Sequence, residues 1–284
     1  MRTSSRPRTG VSASALSDGL RRLLAGLSLL VLAFIYLPLA VVVINSFNSS
    51  RTFAWPPPGY TTDWWRIAAN SQGAFDALWV SLRVAAVATL VALLLGSMAA
   101  LALQRTRFFG RDAVSLLIIL PIALPGIVTG IALNNAFRTV FGWELGFITL
   151  VIAHATFCIV TVFNNVQARL RRLGGNLEEA SSDLGAGTFT TFRLITFPML
   201  RSALLAGGLL AFGLSFDEII VTTFTAGPDQ RTLPIWILEN MFRPNQAPVV
   251  NVVAAVLVVL SALPIWLATR LSGGASGGEM TAGR

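Results

Sequence analysis

The sequence predicts an all-α membrane protein with six transmembrane helices. Three observations carry that prediction. Of 284 residues, 54% are apolar and only 12% are charged, with a mean hydropathy of +0.70; soluble domains average ~25% charged. Six stretches, 23–46, 77–103, 114–136, 146–166, 201–224 and 247–270, are apolar over the length a bilayer demands. A hydrocarbon layer ~30 Å thick takes ~20 such residues per helix. The arginines, finally, crowd into alternate connecting segments.

Span one follows Arg21-Arg22. It is too long for a signal-peptide core, and no small-residue cleavage site follows it. It reads as a retained anchor behind a cytoplasmic tail, 1–22. The next loop, "RTFAWPPPGYTTDWW", suits either an interfacial aromatic belt or a docking surface for an outside partner. Span two carries Arg83, expected to pair with Asp76 or to snorkel outward. Span three holds Pro121 and Pro125, which should kink it where neighbours re-satisfy the freed carbonyls. Its Gly126 and Gly130 form a small-xxx-small face, as Gly207 and Ala211 do in span five. Thr129, Asn134 and Asn135 suit either the lining of a path or hydrogen bonding between helices. His154 and Cys158, four apart in span four, read as packing residues. The tail 271–284 is Gly- and Ser-rich and is expected to be disordered.

Orientation follows from the arginines. With the N-terminus inside, fifteen fall in inner segments and five, Arg51, Arg66, Arg138, Arg231 and Arg243, in outer loops. Both termini are therefore expected in the cytoplasm. The net charge of +8 has the same origin, and nucleic acid is not an expected partner. The composition also excludes chemistry. All 21 basic residues are Arg, so no P-loop lysine exists. One Cys and one His form neither an intramolecular disulfide nor a metal cluster. We expect no catalytic residue, no metal and no cofactor.

One polar segment stands out between spans four and five: "GGNLEEASSDLGAGTFTTFRLITFP", residues 174–198. It reads as two short helices with a hinge on the cytoplasmic side. Asn176 is expected to cap the first, with Glu179 closing a capping box, so Glu179 should matter more than Glu178. Leu177, Ala180 and Leu184 share one face. Gly185 and Gly187 offer left-handed turns that end a helix. Thr188 can cap the second helix, which carries Phe189 and Phe192, and Pro198 closes the segment. A mere connector needs none of this. A short amphipathic helix ended by glycine suits a partner's grip.

The spacing Glu179-Ala180-Ser181, Gly185, Ile195 and Phe197-Pro198 resembles the E-A-A-x3-G-x9-I-x-L-P motif of permease subunits in binding-protein-dependent ABC importers. Ser181 stands for the second Ala and Phe197 for Leu. "FAWPPPGYTTDWW" and "LSFDEIIVTTFTAGPDQRTLPIWI" are similar to the spermidine/putrescine branch, on the side of the second of two different permeases. The resemblance covers roughly residues 23–270. It implies a type I ABC importer permease fold with a core over 77–270, in a bacterial inner membrane. It makes 174–198 a coupling helix, with Glu179, Ala180, Ser181, Gly185, Ile195 and Pro198 against the ATPase. The implied partners are a second permease, two copies of an ABC ATPase and an extracytoplasmic binding protein. The implied cargo is a polyamine; iron or a small organic anion is the alternative within the family, and a self-sufficient cation transporter the alternative outside it.

Asp217 and Glu218 bear on the cargo. Counted as one helix from Arg201, Asp217 stands roughly 24 Å up, in the outer third of the bilayer. Ionisable residues in spans are costly and point to function. Two placements remain open: both carboxylates reach headgroup water, or at least one, about 100° from its neighbour on the helix, faces the path and a cationic cargo.

Overall fold

A computed structural model describes residues 18–51, 54–106, 108–173, 175–243 and 245–273, with side chains from 19 to 260. Most of the expected tail 1–22, and nearly all of 271–284, lie outside these residues. In order come α1 (Asp18–Asn45), α2 (Asp63–Ala69), α3 (Gln72–Arg105), α4 (Arg111–Ala123) and α5 (Gly126–Asn135). A π-helical turn, Ala136–Val140, leads to α6 (Phe147–Leu173), α7 (Asn176–Asp183) and α8 (Thr188–Thr191). A second π turn, Phe192–Thr196, leads to α9 (Phe197–Phe216), α10 (Ile220–Thr225), α11 (Leu233–Asn240) and α12 (Ala247–Gly273). No strand is found among the described residues, and the chain divides into two compact units.

One unit holds α1, α2 and α12. None of the most apolar stretch of α1 is buried, which suits a membrane span. The Trp- and Pro-rich loop after it folds on Asn48. Trp64 Nε1 donates to the Asn48 carbonyl (2.9 Å), and Asn48 Nδ2 donates to the Ala54 carbonyl (3.0 Å). Phe47 stacks on Trp65, while Trp55 and Tyr60 stay exposed.

The other unit, 70–243, is built on α3, α6 and α9. The face of α3 that meets α6 is made of small residues: Ala85, Ala88, Ala92, Gly96 and Ala100 are all buried. Without bulky side chains between them the two backbones come close. A Cβ on Gly96 would stand 2.8 Å from the Ile159 carbonyl oxygen. Membrane helices associate through such packing, because lipid removes the hydrophobic drive between them. The glycines singled out in the sequence serve the same end. Gly130 lies against the ring of Phe224, and Gly207 against Asn165 and Val162.

Span three departs from the expected kink. α4 and α5 meet at 105°, a broken span or a re-entrant loop. Pro125 cannot donate a backbone hydrogen bond, and its own carbonyl accepts from Val128 and Thr129 at the start of α5. Span five is not one helix over 201–224: it stops at Phe216 and resumes at Ile220. Four helices among the described residues are long and apolar enough to cross a membrane, and five if the bent pair counts as one; the described apolar part of α12 is shorter. Arg83 does not pair with Asp76. It lies over the rings of Trp79 and Phe147 (5.8 and 5.9 Å), and Asp76 accepts from Gln72.

Candidate coupling segment and translocation-path residues

Over 175–198 the structure has a short helix, α7, a hinge, and a second helix that starts at α8, but the caps differ from those expected. α7 begins one residue early, so Gly175 is the N-cap and Asn176 the first helical residue. No side-chain cap forms, and exposed Glu179 closes no capping box. The carboxylate that works within the chain is Glu178. Its Oε1 accepts from Arg105, at the end of α3, and from Thr196 Oγ1 (2.6 Å). Arg105 also donates to Thr196 (2.9 Å) and sits where a helix C-terminus favours a cation. The trio ties α7 to two other elements. Both ions are about one-third exposed, so water screens the pair, which contributes on the order of 1 kcal/mol. Arg105 lies 73 residues from Glu178, and local reading had no means of pairing them.

Gly185 does what its position predicts. Its φ is +81°; its N–H donates to the Ser182 carbonyl and the Ala186 N–H to the Ser181 carbonyl. That pair of bonds is a Schellman ending, which needs a left-handed residue. Gly187 is not left-handed: at φ −70°, ψ 160° it is extended, and it, not Thr188, is the N-cap of α8. Ser181, where the motif has Ala, shares a buried hydrogen bond with Thr191 (2.9 Å) and joins the two short helices. Ile195 lines a small cleft with Leu170, Leu173, Leu177 and Met199. Ala180 is exposed. So are two large apolar side chains near the hinge, Leu184 (89%) and Phe189 (74%).

Nor does Pro198 break the chain before span five. α8, the second π turn and α9 form one helical run, Thr188–Phe216. Pro198 has no N–H for the Leu194 carbonyl, and its ring crowds the preceding turn. The wider π turn just upstream, where the Phe197 N–H reaches the Phe192 carbonyl, accommodates it. The run is 29 residues, roughly 43 Å at 1.5 Å each.

Its far end is the break at Asp217–Ile219. Asp217 ends α9 and is exposed; it lies on no helix face. Glu218 is half-buried, and its Oε1 accepts from the Val221 N–H (2.7 Å), capping α10. The two carboxylates thus differ by backbone geometry, not by a helical 100°. α10 is held from two sides. Thr149 Oγ1 of α6 donates to the Thr225 carbonyl (3.1 Å), and Asn134 Nδ2 of α5 donates to the Phe224 carbonyl (2.5 Å). Asn134 is therefore spent between helices, Thr129 lies within reach of its own Pro125 carbonyl, and Asn135 is exposed. Cys158 donates to the Ala211 carbonyl (3.3 Å), as a packing residue would. His154 packs too, but also bonds Ser215 and Thr222 across the break.

Residues 92–275 match the family of binding-protein-dependent transport system inner membrane components. The chain belongs to that family. The match begins in α3, includes the polar segment between α6 and α9, and runs past the end of α12. The spermidine/putrescine transport system permease protein PotC of Escherichia coli (strain K12) is 37% identical over 85% of this chain and 90% of its own length. The putrescine transport system permease protein PotI of the same strain is 35% identical, over 81% and 83%. A putative 2-aminoethylphosphonate transport system permease protein, PhnV, of Salmonella typhi is 32% identical, over 86% and 91%. The fold agrees with solved importers. A bacterial ABC transporter chain involved in alginate import superposes with a TM-score of 0.65 at 14% identity, covering 92% of this chain and 98% of that one. As a member of the family the chain is a non-catalytic permease of an ABC importer in the inner membrane. Its ATPase is a separate subunit, and a partner permease and a binding protein complete such a system.

Proposed function

We propose that this chain is the second of two different permeases in a polyamine importer. It works with two ATPase copies and takes putrescine or spermidine from the binding protein. In this reading six spans cross the membrane, both termini are cytoplasmic, and 77–270 is the permease core. The observation that carries the cargo is the identity of 37% and 35% to two permeases named for these polyamines, over more than four-fifths of the chain.

The coupling segment is the ATPase contact. What supports this is a surface that is fixed yet apolar: Leu184 and Phe189 face outward from helices pinned by Glu178, Arg105, Ser181 and Thr191. An exposed apolar patch on a rigid mount suits a protein partner. Glu179, Ala180 and Gly185 are on this exposed side and belong to the contact, while Ser181, Ile195 and Pro198 shape it from within. Because α8 continues into α9, a push at Phe189 is carried along one helical run to the break that bears Asp217 and Glu218. There a carboxylate offsets part of the cost of moving an ammonium out of water. Thr129 and Asn135 flank the same path.

The test is uptake of radiolabelled putrescine, spermidine and 2-aminoethylphosphonate into vesicles containing the whole system. Wild type should take up the two polyamines. Asp217→Asn with Glu218→Gln keeps shape and the acceptor that caps α10 but removes both charges. This double variant should assemble and lose at least about nine-tenths of polyamine uptake, as expected for about 1.4 kcal/mol. Polyamine uptake equal to wild type in the double variant refutes the carboxylate role. Uptake of 2-aminoethylphosphonate alone refutes the cargo.

A further inference from the structure

The break in span five is bridged by one side chain from another helix. His154, two turns into α6, is fully buried. Its Nδ1 lies 2.8 Å from Ser215 Oγ, in the last turn of α9, and its Nε2 lies 2.9 Å from Thr222 Oγ1, in α10. Ser215 and Thr222 are buried as well, one on each side of Asp217–Ile219. The chain of bonds goes on. Thr222 Oγ1 donates to the Glu218 carbonyl (2.9 Å), and Glu218 Oε1 accepts from the Val221 N–H. A hydroxyl has one proton to give. Thr222 gives its proton to Glu218, so His154 Nε2–H donates to Thr222 and Nδ1 accepts from Ser215. Every polar atom of the buried set is then satisfied.

We propose that His154 is a positioning residue for transport: it clamps the ends of α9 and α10 and so fixes where Asp217 and Glu218 stand. The inference rests on the reading that these carboxylates meet the cargo. Three bare residues between two helix ends would otherwise be free to open. Helix α6 is the natural anchor, since it packs on both α9 and α10. The imidazole is the one side chain there with two polar atoms on opposite edges, each reaching a different helix. Without it, the buried Ser215 hydroxyl loses its partner, Thr222 keeps only its bond to the Glu218 carbonyl, and the bonds from other helices to α10 are those of Thr149 and Asn134 on its outer turn. The carboxylates would then be present but unplaced.

The complete complex with His154→Leu and with His154→Gln tests this. Leu keeps the volume and removes both bonds; Gln restores a donor near Nε2. Two quantities are read at equal amounts of assembled complex: putrescine uptake rate, and hydrogen exchange of the peptide spanning 216–224, which reports local opening. His154→Leu should lower uptake by about ten- to a hundredfold, the upper end being the scale of a 1 Å misplacement, and speed exchange at 216–224 but not in α3. His154→Gln should recover much of both. Unchanged exchange and uptake in His154→Leu overturn the clamp. Equal defects in Leu and Gln also overturn it, because a shape role would explain them. Thr222→Val, a near-isostere without the hydroxyl proton, gives a second route should His154→Leu fail to assemble; normal exchange in that variant overturns the clamp. Faster exchange at 216–224 in His154→Leu, with normal uptake in the Asp217→Asn, Glu218→Gln variant, supports the clamp and refutes the cargo reading alone.

Discussion

Replacing Gly185 by Val will leave the complex in the membrane and uncouple it. The strain is backbone strain alone. A Cβ at Gly185 meets nothing within 4 Å, yet φ is +81°. A side chain at such a φ costs about 1–2 kcal/mol, and a β-branched one is worse placed. The hinge escapes by leaving the left-handed region, which breaks the Schellman pair and re-aims α8. Leu184 and Phe189 then no longer present one surface. Cargo-stimulated ATP hydrolysis and uptake should each fall roughly five- to thirtyfold, the range 1–2 kcal/mol spans. Gly187→Val is the control. Gly187 also has open space but is extended, so it should tolerate the change. Similar activity in the two variants would remove the conformational explanation.

Gly96→Val should fail earlier, at assembly. Its Cβ would lie 2.8 Å from the Ile159 carbonyl and 3.1 Å from the Phe163 nitrogen. Both are backbone atoms of α6 and cannot swing aside, so α3 and α6 must separate. Overpacking of this kind costs about 1–3 kcal/mol, or more where backbone must shift. The amount of folded chain and its thermal midpoint in detergent should both drop. Gly208→Ala is the comparison: the nearest atoms its Cβ would meet are at the flexible end of Leu93, from 3.3 Å. A midpoint for Gly96→Val matching that of Gly208→Ala would show that the α3–α6 contact is looser than described.

The sequence reading succeeded where the signal is local or periodic, and failed where it depends on distant contacts. Apolar runs located the long helices, because bilayer thickness sets their length. Gly185 was legible, because few residues other than glycine end a helix that way. The cap of α7 was not. Asn176 and Glu179 fit a capping box, but Gly175 is the N-cap, the helix begins at Asn176, and Glu178 is drawn to Arg105 and Thr196. Propensity at one residue gave way to tertiary bonds. Pro198 looked like a stop, and a π turn made it part of a continuous run. The break at Asp217 was hidden inside an apolar stretch that hydropathy reads as unbroken. Its trace was present as Ser215, Asp217, Glu218, Thr222 and a facing His154, a polar cluster too dense for a plain span.

Import is driven, in the function proposed, through Leu184 and Phe189 against the ATPase. A single cysteine at Leu184 tests it most directly. Cys158→Ser keeps the donor to the Ala211 carbonyl and clears the background thiol. Leu184→Cys in that background, in the assembled complex in native membranes, is treated with a short thiol-to-amine crosslinker. One dominant adduct with the ATPase subunit should form and be lost in the Gly185→Val variant. Adducts to lipid or the partner permease only, with ATP-driven uptake intact, would contradict it.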